Sequence, residues 1–392
     1  MILKTDAPLF SVIVLTYLQR HYLEECLDSI FRQTYPNIEL IVCDDCSADF
    51  RTDEVLAYIQ ENQSGNITNV KVFRQPKNVG PVQNALTGVS LSSGVFFKIH
   101  AGDDLLNEDD ALERAENLFQ NTGAGVIACR SRACQPDGSM TDHYYPDPEA
   151  WNCIIHADAE TQFNLLATQG AQIYFHEPAL FWRRSVYDEV GGIDPEFRCV
   201  TDWPLLLRVT GAGHRVMTVD EPLVIFRYGG IMNRNPVANL DFRIEYYRES
   251  IAILKKYGLA RFEAAGLRKK VLRCRHAIAC LENRIVAEER WGGWTLGRQL
   301  CWRVKNLGFF LMAWLYRLRY GKPSIPHAKP ALLAMAISLA LYVFQIQLPG
   351  EFSPFLWSLL FFAAAVWLLA QTAVVLSLRL FNLILNLLGR RR

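Results

Sequence analysis

Residues 331–348 and 355–378 contain no charged side chain. As helices rising 1.5 Å per residue they would span about 27 and 36 Å, against a bilayer core of roughly 30 Å. The second run is apolar around its whole circumference and far longer than a usual globular helix, so it reads as a membrane span and not as a core helix. The first carries Gln345 and Gln347 near its end. Only Pro349 to Pro354 separates the two. A transmembrane hairpin within 329–392 is therefore expected, with both outer ends on one side of the membrane.

Those ends are basic. Arg298, Arg303, Lys305, Arg317, Arg319, Lys322 and Lys329 precede the hairpin with no acid between Trp291 and Lys329, and Arg390, Arg391 and Arg392 follow it. The positive-inside rule places both ends in the cytoplasm, and with them everything from Met1 to about residue 290, because no apolar run of spanning length comes earlier. In residues 294–320 the aromatics Trp294, Trp302, Phe309, Phe310, Trp314, Tyr316 and Tyr320 alternate with Arg and Lys. This composition suits an amphipathic segment over 291–328 in the headgroup layer, attracted to anionic lipid; a linker helix packed on the preceding domain is the alternative. Residues 1–10 lack the apolar core of a signal peptide.

The rest of the 392-residue chain has globular composition. With 41 Lys+Arg against 40 Asp+Glu, the formal charge of +1 offers no general basic surface for nucleic acid, and 51% hydrophobic residues exclude a disordered chain. Ten cysteines at irregular spacings in a cytoplasmic domain are expected to be free thiols. Cys43 and Cys46 form a C-x-x-C without a second pair at zinc-ribbon spacing, and they close a strand instead of opening a redox helix.

Phe10 to Thr16 is a continuous apolar, β-branched run. Tyr22 to Gln33 follows with Leu23, Cys26, Leu27 and Ile30 at helical spacing, then the apolar run Ile38 to Cys43. This is a β-α-β unit. The alternation continues with a helix over 54–61, a strand over 70–73, a helix over 81–91 and a strand over 95–99, which predicts an α/β fold built on a parallel sheet covered on both faces. Such sheets bind ligands beyond the carboxyl ends of their strands. There the chain carries Thr16-Tyr17, Asp44-Asp45 and Asp103-Asp104. Neither a G-x-G-x-x-G after the first strand nor a G-x-x-x-x-G-K-[ST] exists. A pair of carboxylates at a sheet edge offers another way to meet phosphates, through Mg²⁺ or Mn²⁺. Asp103-Asp104 would equally serve as the start of a helix near Asp109.

FSVIVLTY, IELIVCDDCSAD, QPKNVGPVQNAL, KIHAGDDLL, ALFWRRSVYDEVGGIDPEF and VTDWPLLLR occur in that order. Together they resemble the motifs of family 2 glycosyltransferases with the GT-A fold, over about residues 9–230. The resemblance implies a Rossmann-like, parallel-rich sheet in a catalytic domain over 1–235. It further implies donor contacts at Thr16, Asp45, Asn78 and Asp103, a divalent cation (Mn²⁺ or Mg²⁺) on Asp103 and Asp104, and Asp202 as the catalytic base. Physically, an inverting transfer to a hydroxyl needs a group to take the proton, and a positioned carboxylate contributes about 10² to 10⁴-fold. Asp202 could also simply cap the helix that follows it. Three positions depart from the family pattern. Leu18 stands where an Asn is usual, Ala101 where the D-x-D-D stretch begins with an acid, and Thr201 where a Glu often precedes the base.

Residues 236–290 are charged and helical in pattern, with Ile251, Ile253, Leu254 and Tyr257 on one face, and are expected to carry the catalytic domain to the membrane. The sequence thus predicts a membrane-anchored inverting glycosyltransferase, moving a sugar from a nucleotide-sugar to a hydroxyl of a lipid-linked saccharide in surface polysaccharide assembly. The alternatives are a polyprenyl-phosphate acceptor and, from another class, an inactive nucleotide-sugar-binding scaffold.

Overall fold

A computed structural model of the chain describes residues 7–170, 174–175, 177–229 and 240–291. The chain divides into two compact units, Met1–Leu311 and Met312–Arg392, and the described residues belong to the first. Among them no helix is long and apolar enough to cross a membrane. The expected hairpin and interfacial segment lie outside the described residues.

The strands are β1 (Phe10–Thr16), β2 (Ile38–Asp44), β3 (Ile67–Arg74), β4 (Phe96–Ala101), β5 (Leu105–Leu106), β6 (Val126–Cys134), β7 (Met140–Tyr145), β8 (Leu180–Arg183) and β9 (Val216–Arg227). They form one sheet in the order β3-β2-β1-β4-β8-β6-β9-β5, with β7 paired to β6. Helices α1 (Arg20–Phe31), α2 (Thr52–Asn62), α3 (Pro81–Leu91) and α4 (Ala111–Thr122) connect the first strands. Further on come α5 (Pro148–Ile154), α6 (Ala159–Gln169), α7 (Arg184–Glu189) and α8 (Asp202–Gly211). α9 (Leu240–Ile253), a π-helical turn (Leu254–Leu259), α10 (Ala260–Ala264) and α11 (Arg268–Trp291) end the described chain.

The continuous apolar runs become strands because both faces of the sheet are covered. Along β1, Ile13 enters one apolar cluster while Phe10, Val12 and Val14 enter the other; along β2, Ile41 and Cys43 alternate with Ile38, Leu40 and Val42. Helix α1 covers one face with Leu23, Cys26, Leu27 and Ile30, and α3 the other with Val82, Ala85 and Val89. Burial of each large side chain is worth about 1.5–3 kcal/mol. Pro81 opens α3 behind Gly80, whose φ of +87° only a glycine adopts without strain.

The expected parallel sheet is corrected to a mixed one. β1 to β4 pair in parallel, but β8 runs antiparallel to both β4 and β6, and β5 antiparallel to β9, while β6 and β9 are parallel. The sequence argument rested on strand-helix alternation, which ends after α4; β8 is short, β7 is polar, and β8 and β9 pair with strands far back along the chain. Helix α4 begins at Ala111 behind Asp110, so Asp103 and Asp104 do not start it. Ile253, Leu254, Phe262, Cys274 and Ile278 of the C-terminal helices share one apolar cluster with Phe163, Leu166 and Trp203, so these helices pack into the same core as the sheet.

Candidate active site

Register places the acids together. Thr16 lies opposite Asp44, and Leu15 opposite Ala101, so β1, β2 and β4 end level at the carboxyl edge of the sheet. Thr16 is buried, and its carbonyl accepts the Asp45 N–H at 2.9 Å. Gly102 follows β4 so closely that a Cβ there would stand 3.1 Å from Thr16 Cβ. Asp103 and Asp104 are therefore beside the end of β1.

Asp44 is folded inward, accepting the N–H and hydroxyl of Ser47, with Arg74 Nε 3.6 Å away. Asp45 reaches the other way. Its Oδ1 accepts the Val79 N–H at 2.7 Å and its Oδ2 the Gly80 N–H at 2.9 Å. Burial raises its carboxyl above the usual carboxylate range, against those two hydrogen bonds. Asn78, just before, is exposed. The loop that Asp45 holds meets the loop before Asp202: Val82 N–H donates to Arg198 O at 3.2 Å, and a Cβ at Gly80 would come within 2.9 Å of Arg198 Cγ.

Asp104 Oδ1 accepts the Arg227 N–H at 3.0 Å, while Oδ2 is enclosed without a hydrogen-bond partner. Burial and the adjacent Asp103 push the Asp104 carboxyl well up. An enclosed carboxylate oxygen lacking a donor, next to a second carboxylate, fits a hard divalent cation. Among the described residues no group of three or more His, Cys, Asp and Glu converges on a metal position. Asp103 and Asp104 would thus supply two ligands, leaving the remainder to substrate oxygens and water.

Asp202 is the first residue of α8, and its Oδ1 accepts the Trp203 N–H at 2.8 Å; Thr201 occupies the cap position. Burial of the carboxyl and the neighbouring Glu177 carboxylate push it up to about 8. The loop before it is pinned by Glu249 of α9, which accepts the N–H groups of Arg198, Cys199 and Val200 at 2.5, 2.8 and 3.1 Å. Arg208, nearly two turns into α8, donates to the carbonyls of Val190 and Gly192 and so braces the Gly191-Gly192 turn.

Sequence reasoning missed Glu177, Glu249 and Arg227. Glu177 had one visible signal, an acid two residues before the ALFWRRS run. Glu249 looks like any charge on a polar helix, and Arg227 like the end of an edge strand, although it is 1% exposed. Leu18 takes φ +55°, a left-handed conformation that Asn tolerates far better than Leu, which gives the physical reason an Asn is usual there.

Fold and site define an α/β domain with a mixed sheet and a row of carboxylates at the sheet's carboxyl edge. Residues 11–191 match the family profile "Glycosyl transferase family 2". The chain is 28% identical over 287 residues to "Uncharacterized glycosyltransferase EpsJ" of Bacillus subtilis (strain 168), covering 70% of this chain and 77% of that protein. To "Putative teichuronic acid biosynthesis glycosyltransferase TuaG" of the same organism it is 26% identical over 143 residues, 36% of this chain and 54% of that one. Among solved structures it is similar to S. aureus TarS 1-349 in complex with UDP, with TM-score 0.48 and 20% identity over 75% of this chain and 77% of that one.

Proposed function

We propose that the protein is an inverting glycosyltransferase, moving a sugar from a nucleotide-sugar donor to a hydroxyl of a lipid-linked saccharide during surface polysaccharide assembly. The observation that carries this reading is the bridge from Asp45 through Gly80 to Arg198, which joins the strand-end acids to the loop that presents Asp202. In this reading donor and acceptor chemistry share one edge of the sheet.

In this reading Thr16, Asp45, Asn78 and Asp103 line the donor, with Asp45 using lone pairs left over from Val79 and Gly80. Asp103 and Asp104 hold Mn²⁺ or Mg²⁺. The cation would neutralise charge developing on the leaving diphosphate. Asp202 takes the proton of the attacking hydroxyl, and its raised affinity for that proton suits a base working near neutral pH. The charge-free runs at 331–348 and 355–378 support anchoring to a membrane, with the domain on the cytoplasmic side of a bacterial inner membrane. Confinement to that surface raises the effective concentration of a lipid-borne acceptor.

The test is transfer of label from a panel of radiolabelled nucleotide-sugars into lipid extract by membranes holding wild type or Asp202→Asn, with Mn²⁺ or Mg²⁺ and then with EDTA. Metal-dependent label that falls by about 10²-fold or more in the variant is expected. A variant that keeps most of its activity would point to a polyprenyl phosphate, whose oxygen is already ionised and needs no base. No transfer from any donor would leave a nucleotide-sugar-binding scaffold.

A further inference from the structure

Thr201 stands where the family often carries an acid, yet an acid reaches the same place from another element. Glu177, in the 3₁₀ turn Glu177–Ala179 that leads into β8, accepts the hydroxyl of Thr201. Glu177, Thr201 and Asp202 line one cavity, walled by apolar side chains such as Ile99, Trp182 and Ile193. It encloses about 10 Å³ of water-accessible space, room for about one water molecule. Two carboxyl groups in so dry a space do not both ionise readily.

The turn is held by buried groups of β4 and β8. Lys98, fully buried in β4, donates its ammonium to the carbonyl of Pro178, the residue after Glu177, and lies 4.7 Å from the centroid of the Phe181 ring. Pairing of Phe97 with Trp182 fixes β8 beside β4. The ionisable groups facing the pair are Lys98, which acts on Glu177, and the Tyr246 phenol of α9, which faces both carboxyls. Glu249, also on α9, is committed to the N–H groups of residues 198–200.

We propose that Glu177 is a positioning residue that shares one proton with Asp202, so that the acceptor side of the site works as a singly protonated carboxyl pair. This rests on the glycosyl-transfer reading above. As the acceptor oxygen bonds to the anomeric carbon, the bond from that carbon to the phosphate oxygen breaks and its electron pair leaves with the nucleoside diphosphate. The hydroxyl proton goes to Asp202, and the pair becomes doubly protonated. Thr201 donates to Glu177 and keeps that carboxyl in place beside the base.

Burial raises both groups, and Glu177 adds to the rise at Asp202. A carboxyl raised in the folded chain keeps a proton there that the unfolded chain has lost, so stability falls as pH rises from the ordinary carboxylate range, about 4, to about 8. The experiment compares full-length wild type, Glu177→Gln and Glu177→Asp by kcat/KM against pH and by unfolding midpoint against pH. Gln keeps an oxygen for the Thr201 hydroxyl, so a merely structural role would leave both curves unchanged. The pairing instead makes wild type lose kcat/KM on the alkaline side, where the shared proton leaves, removes that limb in Glu177→Gln, and flattens the decline in midpoint between pH 5 and 8. Glu177→Asp restores the limb toward wild type. Coincidence of the Glu177→Gln and wild-type curves overturns the proposal. If no donor supports transfer, the unfolding curves alone decide it, separately from the activity. Should Glu177→Gln not fold, Asp202→Asn is read by unfolding, where a slope equal to wild type overturns the pairing.

Discussion

Arg227 donates its backbone N–H to Asp104 Oδ1 at 3.0 Å, so the last residue of β9 fixes the inner carboxylate of the acidic pair. Its guanidinium completes the support: Nε donates to Asp103 O at 2.9 Å, Nη2 to Glu25 at 2.6 Å, and the group lies 4.6 Å from the centroid of Tyr22. Arg227→Met keeps the backbone bond and removes the rest. Because Glu25 is half exposed and can be rehydrated, the loss should sit at the low end for a broken buried pair, about 3 kcal/mol. Denaturant unfolding of the full chain measures it, and a change below about 1 kcal/mol would show that Arg227 only fills space.

The three N–H groups gathered by Glu249 tie α9 to the loop that presents Asp202. In Glu249→Gln the new amide group is a donor, set against N–H groups that are donors themselves. With bonds to a charged acceptor worth about 1.5–3 kcal/mol each, the expected destabilisation is about 3 kcal/mol. Backbone amides 198–200 should also exchange hydrogen faster in the variant, read by mass spectrometry. Unchanged protection would mean that the loop is held by other contacts.

Leu18 holds φ +55° with its side chain 41% exposed, so replacing it removes little buried surface. A left-handed L-residue costs roughly 1–2 kcal/mol, and Asn recovers much of that through local hydrogen bonding. Leu18→Asn should therefore stabilise the chain by about 1 kcal/mol, keeping the Leu18 N–H bond to Ser47 Oγ. Destabilisation in this variant would show that the Leu side chain packs where its exposure suggests it does not.

Gly80 carries both a positive φ and a close neighbour. A Cβ would meet Arg198 Cγ at 2.9 Å and Arg198 O at 3.3 Å, so Gly80→Ala must displace the loop before Asp202 or the loop held by Asp45. Backbone strain of this kind costs about 1–3 kcal/mol. Transfer activity should fall more than stability, since the displaced loops carry the proposed donor and acceptor groups. Parallel measurement of kcat/KM and unfolding midpoint separates the two effects.

Much of the first half was readable in the chain. β1 and α3 coincide with the runs Phe10–Thr16 and Pro81–Leu91, and the other early elements differ from expectation by a few residues at their ends. Their signal is local, an apolar period matched to each element. The second half was not readable in this way. β8 has four residues, β7 is largely polar, and the long β9 is broken by exposed Asp220 and Glu221, so their pairing is visible only once β6 lies between β8 and β9.

The sequence by itself determined where the acids fall: Thr16, Asp45, Asp103 and Asp104 follow strands whose apolar runs end beside them, and Asp202 opens a helix. Only the tertiary structure decided what surrounds them. Glu177 comes to Thr201 across 24 positions, Glu249 to Val200 across 49, and Arg227 to Asp104 across 123. The reason is physical. Strand and helix periods are written in neighbouring residues, whereas the burial that changes a carboxyl's affinity for its proton, and the donors that hold it, come from segments brought together by packing.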